Sequence, residues 1–374
     1  MSWLVQTVGT VLVILTLADI YLTVLYPRSG KGILSMPVSK LVWRLFRLTA
    51  RIPLFNKNHL LSYCGATLLV AFVTLWILLL VTGFALIAWP ELGYAIANSQ
   101  GSTKTDFVTA FYYSGYSFTT LGVGTITPNT GLYQVMIVLE AAIGFSTFTL
   151  ALTYFLSVYS ALTRRNTFAL SLQHRTASTA NAAEMIARLG ANGDFNGARQ
   201  DIANISKDLL NLLESHHSYP VLHYFRFQEA YYALARIALV TMDTATLLRS
   251  ALNEEKYRSL VYSAAVAELE AGSQQMLVEL SNSFLPSGYL RSKGQPEATL
   301  REWYYQAVER LRTEGIETAT DLETGAEFYI SLRRKWEPYV IAFAEYMAYE
   351  WSEIAPAESS ANSNHFHSRR FRRK

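Results

Sequence analysis

Apolar positions run almost without interruption over residues 3–26, 61–89 and 132–162, each with at most one charged side chain. Each stretch exceeds the ~20 residues that cross a ~30 Å hydrocarbon layer as a helix. Between the second and third lies a shorter uncharged stretch, Phe107-Val108-Thr109-Ala110-Phe111-Tyr112-Tyr113-Ser114-Gly115-Tyr116-Ser117-Phe118. It is too short to span and predicts a helix that stops partway. After residue 163 the pattern changes to apolar positions every three or four residues with charged faces between them. That periodicity predicts helices over 168–190, 196–216, 220–251, 254–284, 296–314 and 321–354, the last interrupted and kinked at Pro338. Nothing in this half alternates as a strand. The fold class is therefore all-α: a membrane region followed by an all-α cytoplasmic domain.

Charge orients these segments. Residues 27–58 carry Arg28, Lys31, Lys40, Arg44, Arg47, Arg51 and Lys57 and no acid, so this loop is expected on the cytoplasmic side and the N-terminus outside. The third span ends at Arg164-Arg165, positive on the same side. Lys40, Arg44, Arg47 and Arg51 share one helical face, with Leu41, Val42, Leu45, Phe46, Leu48 and Ile52 on the other. This predicts an interfacial helix whose basic face meets anionic headgroups. No basic region precedes the first span and no small-residue cleavage site closes it, so it reads as a retained helix. Its Asp19 is expected to pair with a neighbouring basic or polar group.

Residues 164–374 hold 24 Lys and Arg against 25 Asp and Glu, and five of those bases fall in the last six positions. An acidic domain thus carries a basic tail, expected to be disordered from about residue 358. The chain divides into a first transmembrane helix (1–26), a basic interfacial segment (27–58), a two-helix core around the short stretch (59–163), a helical cytoplasmic domain (164–356) and the tail (357–374). The single cysteine, Cys64, excludes a disulfide framework. The βαβ pattern of a nucleotide-binding domain is missing, and nucleic-acid binding does not suit an acidic domain on a membrane anchor. His216, His217 and His223 with Glu214 fit no standard metal-ligand spacing. No nucleophile–base set or phosphate loop is present, so neither enzymatic activity nor a bound cofactor is expected.

The short aromatic helix runs into Thr120-Leu121-Gly122-Val123-Gly124. Two glycines one residue apart permit positive φ where side chains forbid it. Successive carbonyls can then be turned to one side, where they replace the water around a cation. This run resembles the Thr-Val-Gly-Tyr-Gly filter of the tetrameric potassium channel family. Tyr112 and Tyr113 fall on that family's aromatic pair, Pro128 on its post-filter proline and Gly144 on its inner-helix glycine hinge; the likeness spans about residues 61–159. The resemblance implies four copies around one axis, potassium held at Thr120, Leu121, Gly122 and Val123, and a filter supported by Tyr112, Tyr113, Tyr116, Ser117, Thr119 and Thr125. It further implies that the stripe Phe145, Phe148, Leu152 and Leu156 lines the pore, with Phe148, Leu152 and Leu156 placed to close it. Glu140 is expected to hydrogen-bond behind the filter to Tyr116 or Ser117. Val123 stands where the family has tyrosine and Thr125 where it has aspartate. A weakly selective monovalent cation pore therefore stays open beside a potassium-selective one, and so does a non-conducting membrane-anchored sensor or scaffold. The expected location is the plasma (inner) membrane. The gating ligand or partner is not specified by any motif.

Overall fold

A computed structural model describes residues 2–26, 32–53, 56–99, 101–286, 288–291 and 294–356. The expectations for Arg28, Lys31 and the basic tail lie outside these residues. The described residues are mostly helical with almost no strand, and helices within Ser2–Leu25, Cys64–Glu91 and Gly131–Arg175 are long and apolar enough to cross a membrane. It forms two compact units, one from residues 1–165 with 212–228, the other from 166–211 with 229–374.

In the first unit α1 (Ser2–Ile20) packs along α4 (Cys64–Ala88). Gly9 and Gly83 make this approach possible: a Cβ on Gly9 would stand 2.5 Å from the Gly83 carbonyl oxygen. Asp19, near the end of α1, is fully buried. Its carboxylate accepts from Trp76 Nε1 at 2.8 Å, Leu34 N at 2.7 Å, Ser35 N at 3.2 Å and Ser35 Oγ at 2.6 Å. The acid thus caps the first turn of α2 (Ser35–Thr49) and ties that helix to α1 and α4. Its partners are polar; no base contacts it among the described residues.

Helix α2 is amphipathic in three ways rather than two. Ser35, Ser39 and Trp43 are buried against the unit, while Leu41, Leu45 and Leu48 are exposed beside the exposed Lys40 and Arg44, and Ile52, just past the helix, is exposed too. After α3 (Lys57–Ser62) and α4 come β1 (Ile96–Asn98), α5 (Phe107–Phe118), β2 (Ile126–Pro128) and α6 (Gly131–Arg175). The two short strands pair antiparallel, with Ile96 opposite Pro128, Ala97 opposite Thr127 and Asn98 opposite Ile126. This ribbon was not expected. Its residues Ile96 and Ile126 pack into one cluster with Ala110, Tyr113 and Tyr116 of α5.

The second unit contains α7 (Ala182–Leu189), most of α8 (Ala198–Ser218), α9 (Leu234–Ser250), α10 (Glu254–Val261), α11 (Ala264–Phe284), α12 (Glu297–Thr313), α13 (Leu322–Tyr346) and α14 (Trp351–Ile354). Helix α9 is buried on nearly every side, with α7, α11 and α13 around it. Boundaries differ from expectation where breakers act. The helix predicted over 220–251 starts only at Leu234, because Pro220 opens a short 3-10 turn, Pro220–Tyr224. The predicted interruption at Pro338 does not occur: α13 runs through it with Trp336, Glu337, Val340 and Ile341 all buried, so packing holds what the missing N–H would loosen. The helix ends instead at Tyr346, before Ala348 turns to φ +57°.

A charged cluster lies inside this unit. Arg333, fully buried, donates to Asp243 Oδ1 at 2.7 Å and Glu337 Oε1 at 2.9 Å, and its guanidinium lies 4.6 Å from the Trp303 ring centre. Burial pulls the Arg333 guanidinium down, but Asp243, Tyr329 and Glu337 outweigh it and hold it above its ordinary value.

Candidate functional site

Helix α5 begins at Asp106, whose side chain accepts from Thr109 N at 2.7 Å, and its C-terminal carbonyls are used to turn the chain. Thr119 N donates to Gly115 O at 3.1 Å, Thr120 N to Ser117 O at 3.1 Å and Leu121 N to Tyr116 O at 2.9 Å. The chain then leaves the helix with alternating hand. Thr120, Gly122 and Gly124 have φ of +57°, +61° and +71°, while Leu121 and Val123 between them do not enter the positive region. Alternation of this kind turns successive peptide planes the same way and brings their oxygens to one side. Thr120 adopts it without being glycine, at a cost of about 1–2 kcal/mol. Residues 119–125 are exposed in the single chain, Leu121 by 70% and Val123 by 42%.

The residues around the run divide into those that reach beyond α5 and those that do not. Tyr116 OH donates to Ile126 O in β2, and its ring meets Tyr112 and Tyr113 edge-on at centroid distances of 5.3 and 5.6 Å. Ser117 Oγ returns to Tyr113 O at 2.7 Å and Thr119 Oγ1 to Gly115 O at 2.8 Å, so both satisfy their own helix. Glu140 is buried and bonds Ser114, not Tyr116 or Ser117 as expected. The reason is helix phase: Ser114 is on the α5 face toward α4 and α6, within 3.0 Å of Val81 O as well, while Tyr116 points to β2.

Helix α6 is uninterrupted at Gly144. A Cβ there would collide with the carbonyl oxygen of Phe118 and come within 3.2 Å of that residue's Cγ. Glycine is needed here because α6 presses against the end of α5. Phe145, Phe148, Leu152 and Leu156 share a face and are all exposed in the single chain, Phe148 by 67%. A cavity of about 300 Å³ adjoins the start of the run, between Val73, Phe118, Thr120, Gly144 and Phe148.

The other end of the unit holds an arrangement that no local pattern signalled. Residues 212–228, the last two turns of α8 and the segment after it, pack against the start of α4 and against α6 between Tyr154 and Arg165. Arg165 is buried there, donating to Leu222 O at 2.9 Å and Phe225 O at 2.8 Å, with the Phe227 ring centre 5.8 Å away. The sequence marks it only as a positive end of the third span; main-chain carbonyls replace water around it. Arg226 bonds Asn58 Oδ1 at 2.6 Å, and Phe225 lies so close to Gly65 that a Cβ would meet its ring at 2.5 Å. Tyr224 faces Trp43 of α2 at 6.1 Å, and Tyr219 faces Tyr154 of α6 at the same distance.

His216 and His223 are buried in this base. Burial, aided by Arg165, pushes the His216 imidazole down to about 3; burial, His216 and Arg165 lower His223 as well. His216 Nδ1 is 2.9 Å from Leu212 O, and His217 lies 4.0 Å from Glu214. No group of three or more His, Cys, Asp or Glu placed to hold a metal occurs among the described residues.

Comparison with known proteins agrees with this geometry where it is strongest. Residues 68–161, which cover most of α4, all of α5 and the following run, and two thirds of α6, match the family described as Ion channel. A Bacillus subtilis (strain 168) protein described as "Uncharacterized membrane protein YdjJ" is 27% identical over 251 residues, covering 66% of this chain and 70% of the relative. No solved structure matches. With three helices apolar enough to span, the chain is an all-α membrane protein whose segment formed by α4, α5 and α6 matches the ion channel family.

Proposed function

We propose that the protein is a potassium-selective channel conducting through the carbonyls of Thr120–Gly124. The carrying observation is the alternating hand of that run, with positive φ at Thr120, Gly122 and Gly124 at the end of an uncharged helix. A row of carbonyls on one strand cannot surround an ion, so further copies complete the ring, four by the family resemblance. The exposure of residues 119–125 and of the Phe145–Leu156 stripe supports a symmetric neighbour on that face. Gating is assigned to Phe148, Leu152 and Leu156, which close the path by excluding water.

The helical second unit regulates the gate through residues 212–228, which are joined along the chain at both ends to that unit and hold α6 at Arg165. Helix α2 anchors this base to anionic headgroups through Lys40, Arg44, Arg47 and Arg51, its exposed leucines entering the apolar layer. The positive residues put this end in the cytoplasm and the N-terminus outside, in the plasma (inner) membrane.

Val123 is 42% exposed, with no hydroxyl to brace it, and favours a second reading as a weakly selective cation pore. Reversal potentials of the reconstituted protein in bi-ionic potassium and sodium solutions separate the two. A strongly shifted potential supports potassium selectivity, and one near zero assigns the weakly selective pore. Absence of any cation flux leaves the membrane-anchored sensor.

A further inference from the structure

Helix α6 ends where its sequence gives no reason to end. Residues Arg175 to Ala183 read Arg-Thr-Ala-Ser-Thr-Ala-Asn-Ala-Ala, with no glycine or proline, and the apolar periodicity predicts one helix over 168–190. That helix is instead broken between Arg175 and Ala182. Within the break Ala177, Ser178 and Ala180 have φ of +50°, +66° and +60°. A side chain in the left-handed region is disfavoured about 5- to 30-fold at each such position.

Docking of the next helix holds the break, and all of it lies within the second unit. Helix α7 packs on α9 and α12 with Ala182, Ala183, Met185, Ile186 and Ala187 buried. Glu184 joins Arg310 of α12 at 2.6 Å and Arg188 at 2.9 Å. Arg188 Nη1 in turn donates to His174 O at 3.2 Å, so α7 doubles back on the end of α6. A continuous helix would set those two residues ~21 Å apart. Thr179 Oγ1 donates to Thr176 O at 2.6 Å, and Asn181 Oδ1 accepts from Ala183 N at 2.9 Å, which closes the turn. Burial of Met185 and Ile186 favours the docked form by about 10- to 150-fold each. Strain and docking are therefore of the same order and opposite in sign. A stretch that favours helix locally and is overruled by burial has two arrangements open to it.

We propose that residues 176–181 form a strained two-state junction: docked α7 holds it broken, undocking lets it close into helix continuous with α6, and the change reaches the gate along that one helix. Phe148, Leu152 and Leu156 stand on the same helix. The link to the gate rests on the channel reading above; the junction itself does not.

The test uses the full-length protein in nanodiscs, spin-labelled at His174→Cys and Ala191→Cys, both exposed sites, and diluted with unlabelled chain. The docked form gives a short separation and a continuous helix one of ~25 Å. Ile186→Ala weakens docking and is expected to raise the ratio of long to short separations at least ~30-fold. Adding Ala177→Gly, Ser178→Gly and Ala180→Gly is expected to reverse that rise by ~10-fold or more, because glycine both relieves the left-handed strain and weakens the helix. Glu184→Gln acts in the same direction as Ile186→Ala, by about fivefold, and decides the matter if Ile186→Ala does not assemble. Open probability in planar bilayers should move with these ratios. Unchanged separations in the docking variants, a broad spread without the ~25 Å component, or glycines that leave the ratio unaltered overturn the junction. A long component that appears with no change in open probability overturns its link to the gate. A protein that passes no cation overturns the channel reading, while the separations still decide the junction.

Discussion

The two ends of the first unit are held together by different chemistry. Around the carbonyl run the ties are neutral, made by main-chain N–H groups, the Tyr116 hydroxyl and the β1–β2 ribbon, and the acid Glu140 stands behind them on Ser114. At the base they are cationic or titratable: Arg165 on the carbonyls of Leu222 and Phe225, Arg226 on Asn58, and the imidazoles of His216 and His223. Neutral ties do not respond to pH, and their geometry stays constant. A base that encloses a guanidinium and two neutral imidazoles is stable only while those imidazoles stay uncharged. One end is suited to fixed coordination and the other to a change of state.

The contrast can be broken most sharply at the run itself. Gly122→Ala places a side chain at φ +61°, and thallous flux into liposomes is expected to fall at least ~100-fold, since one misplaced coordinating group can cost that factor. Flux equal to wild type would remove the filter assignment.

At the base, Arg165→Met leaves the carbonyls of Leu222 and Phe225 buried without their donor. Unfolding in detergent should show a loss of about 3 kcal/mol, the sum of two unsatisfied acceptors, and the conducting fraction should rise as α6 is released at this point. An unchanged melting curve would show that the guanidinium holds nothing.

Acid should separate the two ends without mutation. His216 has a folded value near 3 against about 6.5 unfolded, so its contribution is complete above 6.5 and is lost as pH falls from there toward 3. At pH 5 the loss from this residue is about 2 kcal/mol. Hydrogen exchange should then quicken in residues 212–228 while residues 96–99 keep their protection; equal change at both ends would contradict the contrast. The smallest effect is expected at the membrane surface. Lys40→Gln should weaken sedimentation with anionic vesicles by about 1 kcal/mol and leave binding to neutral ones unchanged.

Much of this was legible beforehand because it depends on local order. Uncharged length marks the spans, and Gly122 with Gly124 marks a backbone that side chains forbid. The helices α8 and α12 follow from apolar periodicity, while the single helix expected over 254–284 is two, α10 and α11. The bonds that complete the site do not follow from it. Ser114, Tyr116 and Ser117 are equally polar in sequence, and only the rotation of α5 against α4 and α6 gives Glu140 to Ser114. Gly144 is legible as a special position, but its reason is the approach of α6 to Phe118. Arg165 lies 57 positions from Leu222.

What the sequence by itself determined is therefore the class of protein, its spans and the place of its carbonyl run, because each is set by the solvent and by φ/ψ preferences acting on neighbouring residues. Only the tertiary structure decided that Glu140 bonds Ser114, that Asp19 caps α2, and that residues 212–228 return to enclose Arg165. Those contacts join segments far apart in the chain, and a hydroxyl, amide or guanidinium carries no local mark of which distant partner will satisfy it once water is excluded.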